Sequence, residues 1–212
     1  IIRGYKHRVQ KQLCLSPRCG HVKGHGGVKG AVRFTRALTN CYRFVARFDI
    51  RHYYQGMDRQ VMLGLLKDVS NDVVDVVQAY LCLPDRGGTG KGMVAGGAIS
   101  PLLGALYLTP LDRAMEALST GGSIRYQRFM DDYVIFARTR NRLRAAIKRM
   151  YGVHESLKLS VHPDKRYIGK TEKGFDFLGY RFWPEKLLEP AVQSLIQLIE
   201  RSRRLQKKGA DL

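Results

Sequence analysis

Cysteine is scarce in this chain of 212 residues, and its 4 cysteines, Cys14, Cys19, Cys41 and Cys82, form no pattern of a disulfide framework. Cys41 and Cys82 stand beside apolar residues and read as small buried thiols. Cys14 and Cys19 with His21 and His25 could supply a Cys2His2 zinc set, but their spacing is unlike that of a zinc knuckle and no clear hairpin lies between them. Long apolar runs are also missing. The longest are short and interrupted, which argues against a secretory leader or a membrane-spanning helix and makes a reducing cytoplasm the expected compartment. Repeats and low-complexity tracts are absent too, which excludes a solenoid. Acidic residues are outnumbered, 18 against 37 Lys and Arg, and the resulting charge of +19 attracts phosphate backbones. Ribosomal and histone-like proteins share such a charge. A hydrophobic content of 44% nevertheless suffices for a folded core.

The basic excess gathers in residues 3–11, 23–36 and 201–208. The first and last runs are ordinary solubilising surface. The middle one carries more, because it interleaves glycine with cations from His21 through Lys23, Lys29 and Arg33. That composition lets backbone amides and side chains approach a phosphodiester together. Arg33 and Arg36 are three apart and would share a helix face.

The few carboxylates are placed more tellingly than the many cations. Phe129-Met130-Asp131-Asp132-Tyr133-Val134-Ile135-Phe136 sets two adjacent acids in an apolar and aromatic run, which reads as the tip of a β-hairpin. Desolvated carboxylates forced together share either a proton or a metal. Magnesium takes oxygen ligands and keeps room for substrate phosphates, so a few converging Asp residues suit phosphoryl transfer. The third acid is Asp49, at the end of the strand-like run that starts at Tyr42. Two metals roughly 3.5–4 Å apart would then be held by Asp49, Asp131 and Asp132.

These segments resemble a known family. Phe48-Asp49-Ile50-Arg51-His52-Tyr53-Tyr54, then Gly92 through Leu103, then Phe129-Met130-Asp131-Asp132 look like the ordered palm motifs of reverse transcriptases, nearest the bacterial group II intron and retron-type enzymes. Leu159 through Lys165 is similar to the family's later palm segment, and Gly174 through Tyr180 to its primer-grip strand. The resemblance implies an RNA-directed DNA polymerase using two Mg2+ ions, with Mn2+ as substitute, on an RNA template, a DNA primer and dNTPs. It further implies Asp49, Asp131 and Asp132 as catalytic carboxylates, the Ile50 carbonyl as a further metal ligand, and Lys165 as proton donor to the departing pyrophosphate. Tyr54 is implied as the aromatic that rejects a 2′-hydroxyl. Lys23, Lys29, Arg33 and Arg36 match the fingers region near the template.

The middle motif departs from the family pattern. Val94-Ala95-Gly96 stands where Pro-Gln-Gly is usual, and Ala105 replaces a common asparagine. Ala95 and Gly96 would thus border the nucleotide with fewer polar groups. Gly97 permits close backbone approach to the template, and Ser100 before Pro101 reads as a helix cap at the nucleic-acid side.

The expected fold is an α+β polymerase palm, an antiparallel sheet with helices on one face, with partial fingers and the start of a thumb. Its expected domains are a basic fingers part at 1–41, a palm at 42–183 and a thumb helix at 184–212. Helices are predicted near 59–67, 71–83, 101–118 (kinked at Pro110), 140–156 and 192–208, with a glycine-rich loop at 87–97 and a strand pair around the 171–174 turn. The chain lacks an initial Met and a convincing triphosphate-neutralising cation before Asp49, and is expected to be a fragment. An RNA-dependent RNA polymerase and a non-catalytic RNA-binding derivative are the competing readings.

Overall fold

The computed structural model describes residues 2–83 and 91–210. In chain order it forms α1 (Ile2–Gln12), α2 (Gly27–Cys41), β1 (Phe44–Asp49), α3 (Tyr53–Gly56), α4 (Arg59–Gly64), α5 (Asn71–Leu81), α6 (Ser100–Tyr107) and α7 (Thr109–Leu118). There follow β2 (Ile124–Phe129), β3 (Asp132–Ala137), α8 (Arg140–Ser156), β4 (Tyr167–Lys170), β5 (Phe175–Phe177), β6 (Tyr180–Phe182), β7 (Glu189–Pro190) and α9 (Val192–Ala210). The central antiparallel sheet has the order β2-β3-β1-β4, and a smaller sheet has the order β5-β6-β7.

Side-chain alternation decides what covers each face of the central sheet. Ala46 and Phe48 of β1, with Tyr133, Ile135 and Ala137 of β3, join Leu143, Ala146 and Met150 of α8 and Leu111 and Met115 of α7 in one core. Val45, Val134 and Phe136 point the other way and pack on Phe175, Phe177 and Phe182 of the small sheet and Val32 and Leu38 of α2. Each such side chain removed from water contributes roughly 1.5–3 kcal/mol before conformational entropy is charged against it. A sheet buried on both faces explains why β3 reads as a continuous apolar run.

Several predicted elements change in detail. The helix expected across 101–118 is two helices, α6 and α7, meeting at Leu108, because Pro110 has no N–H to donate and the ladder resumes only at Asp112 N–H to Leu108 O, 3.0 Å. The strand pair expected around 171–174 is divided between sheets: β4 pairs with β1, whereas β5 pairs with β6. Four residues of the expected glycine-rich loop, 87–90, lie outside the described residues. Ser100 does not cap α6, since Ile99 holds the cap position without a side-chain bond. The final helix is amphipathic as predicted, with Leu195, Leu198 and Ile199 exposed along it.

A charge sits in the middle of this core. Arg128 on β2 and Asp112 on α7 are both fully buried, with Arg128 Nε 2.9 Å from Asp112 Oδ1 and the Tyr126 hydroxyl donating to the same oxygen at 2.9 Å. Arg128 also donates to the Ala105 carbonyl of α6 at 3.2 Å. Removing the acid would strand the guanidinium away from water. Asp112→Ala is therefore expected to lower unfolding stability by about 3–5 kcal/mol, read from urea denaturation; a loss below about 1 kcal/mol would mean that the pair carries no such load.

Candidate active site in the palm

The end of β1 and the β2–β3 turn meet at one place. Asp49 lies directly opposite Asp132 in the β1–β3 register, and Asp131 occupies the turn just before it. The Ile50 N–H donates to the Asp131 carbonyl at 3.2 Å, which fastens the turn to the end of β1. Strand alternation puts Arg47, Asp49 and Asp132 on one face. Arg47 then takes Asp132 with two bonds, Nε to Oδ1 at 3.0 Å and Nη2 to Oδ2 at 2.9 Å.

The three acids are therefore not equivalent. Both Asp132 oxygens accept from Arg47, so Asp132 would meet a metal only through the lone pairs that Arg47 leaves. Burial pushes its carboxyl up to about 6 despite Arg47, with Asp49 and Asp131 pushing the same way. Asp131 has no such cation bonded to it; burial, and then the charge of Asp49, raise its carboxyl above the ordinary range. Among the described residues, no group of three or more His, Cys, Asp or Glu side chains is placed to hold a metal ion. Two mutually repelling, part-buried carboxylates in an oxygen-only setting still suit a magnesium ion, which fills its remaining positions with water and substrate oxygens.

Lys165 and Tyr54 border the same acids. A bridge between Ile50 and Val161, with His162 N–H donating to Asp49 O at 2.8 Å, docks the loop that carries Lys165. Its Nζ stands 3.7 Å from Asp49 Oδ1 on an exposed side chain. Tyr54 is half-buried against Tyr53, with ring centroids 5.4 Å apart. Burial and the nearby Asp131 charge push its phenol up to about 12, so it stays neutral. Tyr53, whose hydroxyl bonds the Gly104 carbonyl, fills the core, and Tyr54 packs partly buried against the same core.

The loop before α6 is shaped by contacts that only glycine allows. A Cβ on Gly97 would overlap the Tyr80 hydroxyl, and one on Gly92 would lie 2.7 Å from the Gln55 carbonyl. Ala95 and Gly96 are exposed, and Gly96 has a positive φ of 80°. Ser100 does not meet nucleic acid as expected. It is 1% exposed, and its hydroxyl is used up by Val94 O and Tyr80, both at 2.6 Å.

Lys29, Arg33 and Arg36 fall four and three apart on α2, on the exposed side opposite the buried Val32, Thr35 and Leu38. Lys23 is exposed in the turn before that helix. The zinc set does not assemble as four ligands: Cys14 is exposed, the His25 ring bonds the Cys19 carbonyl at 3.2 Å, and the His21 ring, 3.3 Å from Cys19 Sγ, also bonds the Met130 N–H and the Pro101 carbonyl. Burial, opposed by its bond to Pro101 O, drives the His21 imidazole down to about 4.

Sequence reading missed Arg47, Arg128 and Asp112. For Arg47 the signal was present, because a cation two residues before Asp49 on a strand shares its face. For Asp112 it was absent, since its partner arrives from 16 residues away.

The central antiparallel sheet, the paired acids at its end and the helices packed on it define a polymerase palm of the α+β class. The family model described as reverse transcriptase (RNA-dependent DNA polymerase) matches residues 25–182, and the chain belongs to that family. No curated protein shows significant sequence similarity to it. Among solved structures, the fold is similar to apo telomerase from Candida tropicalis truncated from the C-terminal domain, at 13% identity and a TM-score of 0.67, covering 90% of this chain and 45% of that one. It is also similar to telomerase from Candida albicans in complex with a fragment of telomeric RNA, at 12% identity and a TM-score of 0.62, covering 87% and 35%. The chain thus spans less than half the length of these structures.

Replacing Arg47 by Met keeps the bulk and removes the charge that holds Asp132 ionised. The Asp132 carboxyl, already near 6, is expected to titrate higher still in carboxyl-carbon NMR. An unchanged midpoint would mean that Arg47 is not the group that sets it.

Proposed function

We propose that this palm adds deoxynucleotides to a DNA primer 3′-hydroxyl on an RNA template, as an RNA-directed DNA polymerase. The observation that carries the reading is the convergence of Asp49 and Asp131 at the end of the sheet with the neutral ring of Tyr54 beside Asp131. Asp49, Asp131, Asp132 and the Ile50 carbonyl would hold Mg2+, in two ions, with Mn2+ as a substitute, Asp132 being the acid also held by Arg47. Bound there, such ions neutralise the triphosphate and lower the pKa of the primer hydroxyl.

The chain's own groups do the rest. Arg47 balances part of the acidic charge by pairing with Asp132. Tyr54 offers a ring face to the sugar and, by its bulk, disfavours a 2′-hydroxyl. Lys165, an exposed cation beside Asp49, is placed to give a proton to departing pyrophosphate. Gly96 and Ala95 form the exposed lip of the nucleotide side, and Gly97 brings the backbone close. Lys23 and the stripe Lys29, Arg33 and Arg36 track the template phosphates. In domain terms, residues 1–41 act as partial fingers, 42–183 as palm and 184–212 as the start of a thumb. A bacterial enzyme of the group II intron or retron type, working in the cytoplasm, fits the motif spacing best.

Primer extension on an RNA template in Mg2+, with the complete protein, tests this directly. Extension with dNTPs is expected, falling on the order of a thousandfold in Asp131→Ala, because several kcal/mol of charge stabilisation is lost at about 1.4 kcal/mol per decade. Tyr54→Ala is expected to raise ribonucleotide incorporation. Extension with rNTPs alone would move the protein to the RNA polymerases, and RNA binding without extension would make it a non-catalytic derivative.

The basic stripe has its own readout. Replacing Lys29, Arg33 and Arg36 together by Ala should weaken RNA binding and flatten the slope of log affinity against log salt by about 2, at ~0.7 for each single-strand phosphate that is no longer neutralised. An unchanged slope would remove α2 from the template path.

A further inference from the structure

Met130, the residue before Asp131, has φ 56°, a left-handed conformation that a side chain with a Cβ keeps only when its surroundings hold it. Both of its backbone groups are held. Its N–H donates to His21 Nδ1 at 3.0 Å, and its carbonyl accepts from Arg128 Nη1 at 3.0 Å. The second His21 nitrogen, Nε2, lies 2.9 Å from the Pro101 carbonyl, which can only accept. The proton therefore sits on Nε2, and the Nδ1 lone pair accepts from the turn at 3.0 Å, with Cys19 Sγ 3.3 Å away as a second, longer partner.

The segment that delivers His21 is itself fixed. Gly20 N–H donates to Arg128 O at 2.8 Å and Arg128 N–H to Arg18 O at 3.0 Å, so this short stretch runs parallel to β2 through the Cys19–Arg128 bridge. A Cβ on Gly20 would come within 3.0 Å of Gln127 Nε2, so glycine lets the two backbones approach. The imidazole thus joins three pieces, the segment ahead of α2, the turn bearing Asp131, and the first turn of α6.

We infer that His21 is a positioning residue that fixes the left-handed backbone at Met130 and so aims the Asp131 carboxylate. This rests on the reading of Asp131 as a metal ligand. Arg128 holds the other side of the turn but also carries the core through Asp112, whereas loss of the neutral His21 ring strands no charge. His21 is therefore the separable half of the restraint. Partners that orient a ligand change metal affinity or turnover by about 10–100-fold when removed, and His21 acts one residue before the ligand, through the Met130 N–H.

The test compares wild type with His21→Ala and His21→Asn in the complete protein, reading Mn2+ binding by electron paramagnetic resonance, kcat and KM in primer extension, and the thermal midpoint. The amide oxygen of Asn can accept from Met130 N–H as Nδ1 does. Expected for His21→Ala is an about 10–100-fold loss in Mn2+ affinity and kcat, with the KM for dNTP and the midpoint little changed, and recovery of most of the loss in His21→Asn. Wild-type Mn2+ affinity and kcat in His21→Ala would overturn the inference, as would a loss that follows a lowered midpoint and is not recovered by Asn. Should wild type bind Mn2+ through Asp131 but extend no primer, the polymerase reading fails while the Mn2+ comparison still decides His21. Mn2+ binding indifferent to Asp131→Ala would remove the ligand reading and the inference with it.

Discussion

A guanidinium without access to water organises this molecule. Arg128 has five donors and a charge that cannot be shed, so everything around it must offer oxygen. Asp112 comes from α7, the Ala105 carbonyl from α6 and the Met130 carbonyl from the turn that bears Asp131. Two helices and the candidate active site are thereby indexed to one side chain. A hydrophobic core of similar volume could match its stability but would tolerate sliding of α6 and α7 against the sheet. The bonded cation specifies one arrangement.

The same logic of unequal partners shapes the site itself. Three acids at one sheet end would repel one another, and the structure relieves this asymmetrically by giving Asp132 to Arg47. Asp49 and Asp131, both part-buried, have no such two-bond partner among the described residues, and Lys165 stands as an exposed cation beside Asp49. An exposed lysine at such a distance is screened and exchangeable, whereas the two-bond Arg47 pair is part of the framework. Framework and working charges are thus separated within a few residues of the same strands.

Likeness to telomerase structures at 12–13% identity illustrates how little of this arrangement is written in residue identity. What the likeness shows is the fold, which in this chain is a sheet buried on both faces whose strand ends bring acids together. Loops such as that before α6 are freer to differ, and here Ala95 and Gly96 leave an exposed lip with few polar groups.

Local chemistry made much of this legible in the sequence. The apolar run around Asp131 required a buried hairpin, the 140–156 periodicity gave α8 to the residue, and glycine among cations marked the stretch that leads into α2. Pro110 gave the position of a helix break but not its completeness. Other features depended on partners distant in the chain. Ser100 read as a cap because its neighbours suit one, yet Tyr80 and Val94 claim its hydroxyl. Cys19 and His21 had the donor types for zinc, but only packing showed that the imidazole is spent on Met130 and Pro101. Residue order was enough to say which side chains could bear charge at the site and on which strands they lie, because strand alternation and desolvation are local constraints. Which acid is paired emerged only on folding, because Arg47 reaches Asp132 across the β1–β3 pairing and His21 reaches the turn from a segment more than a hundred residues earlier.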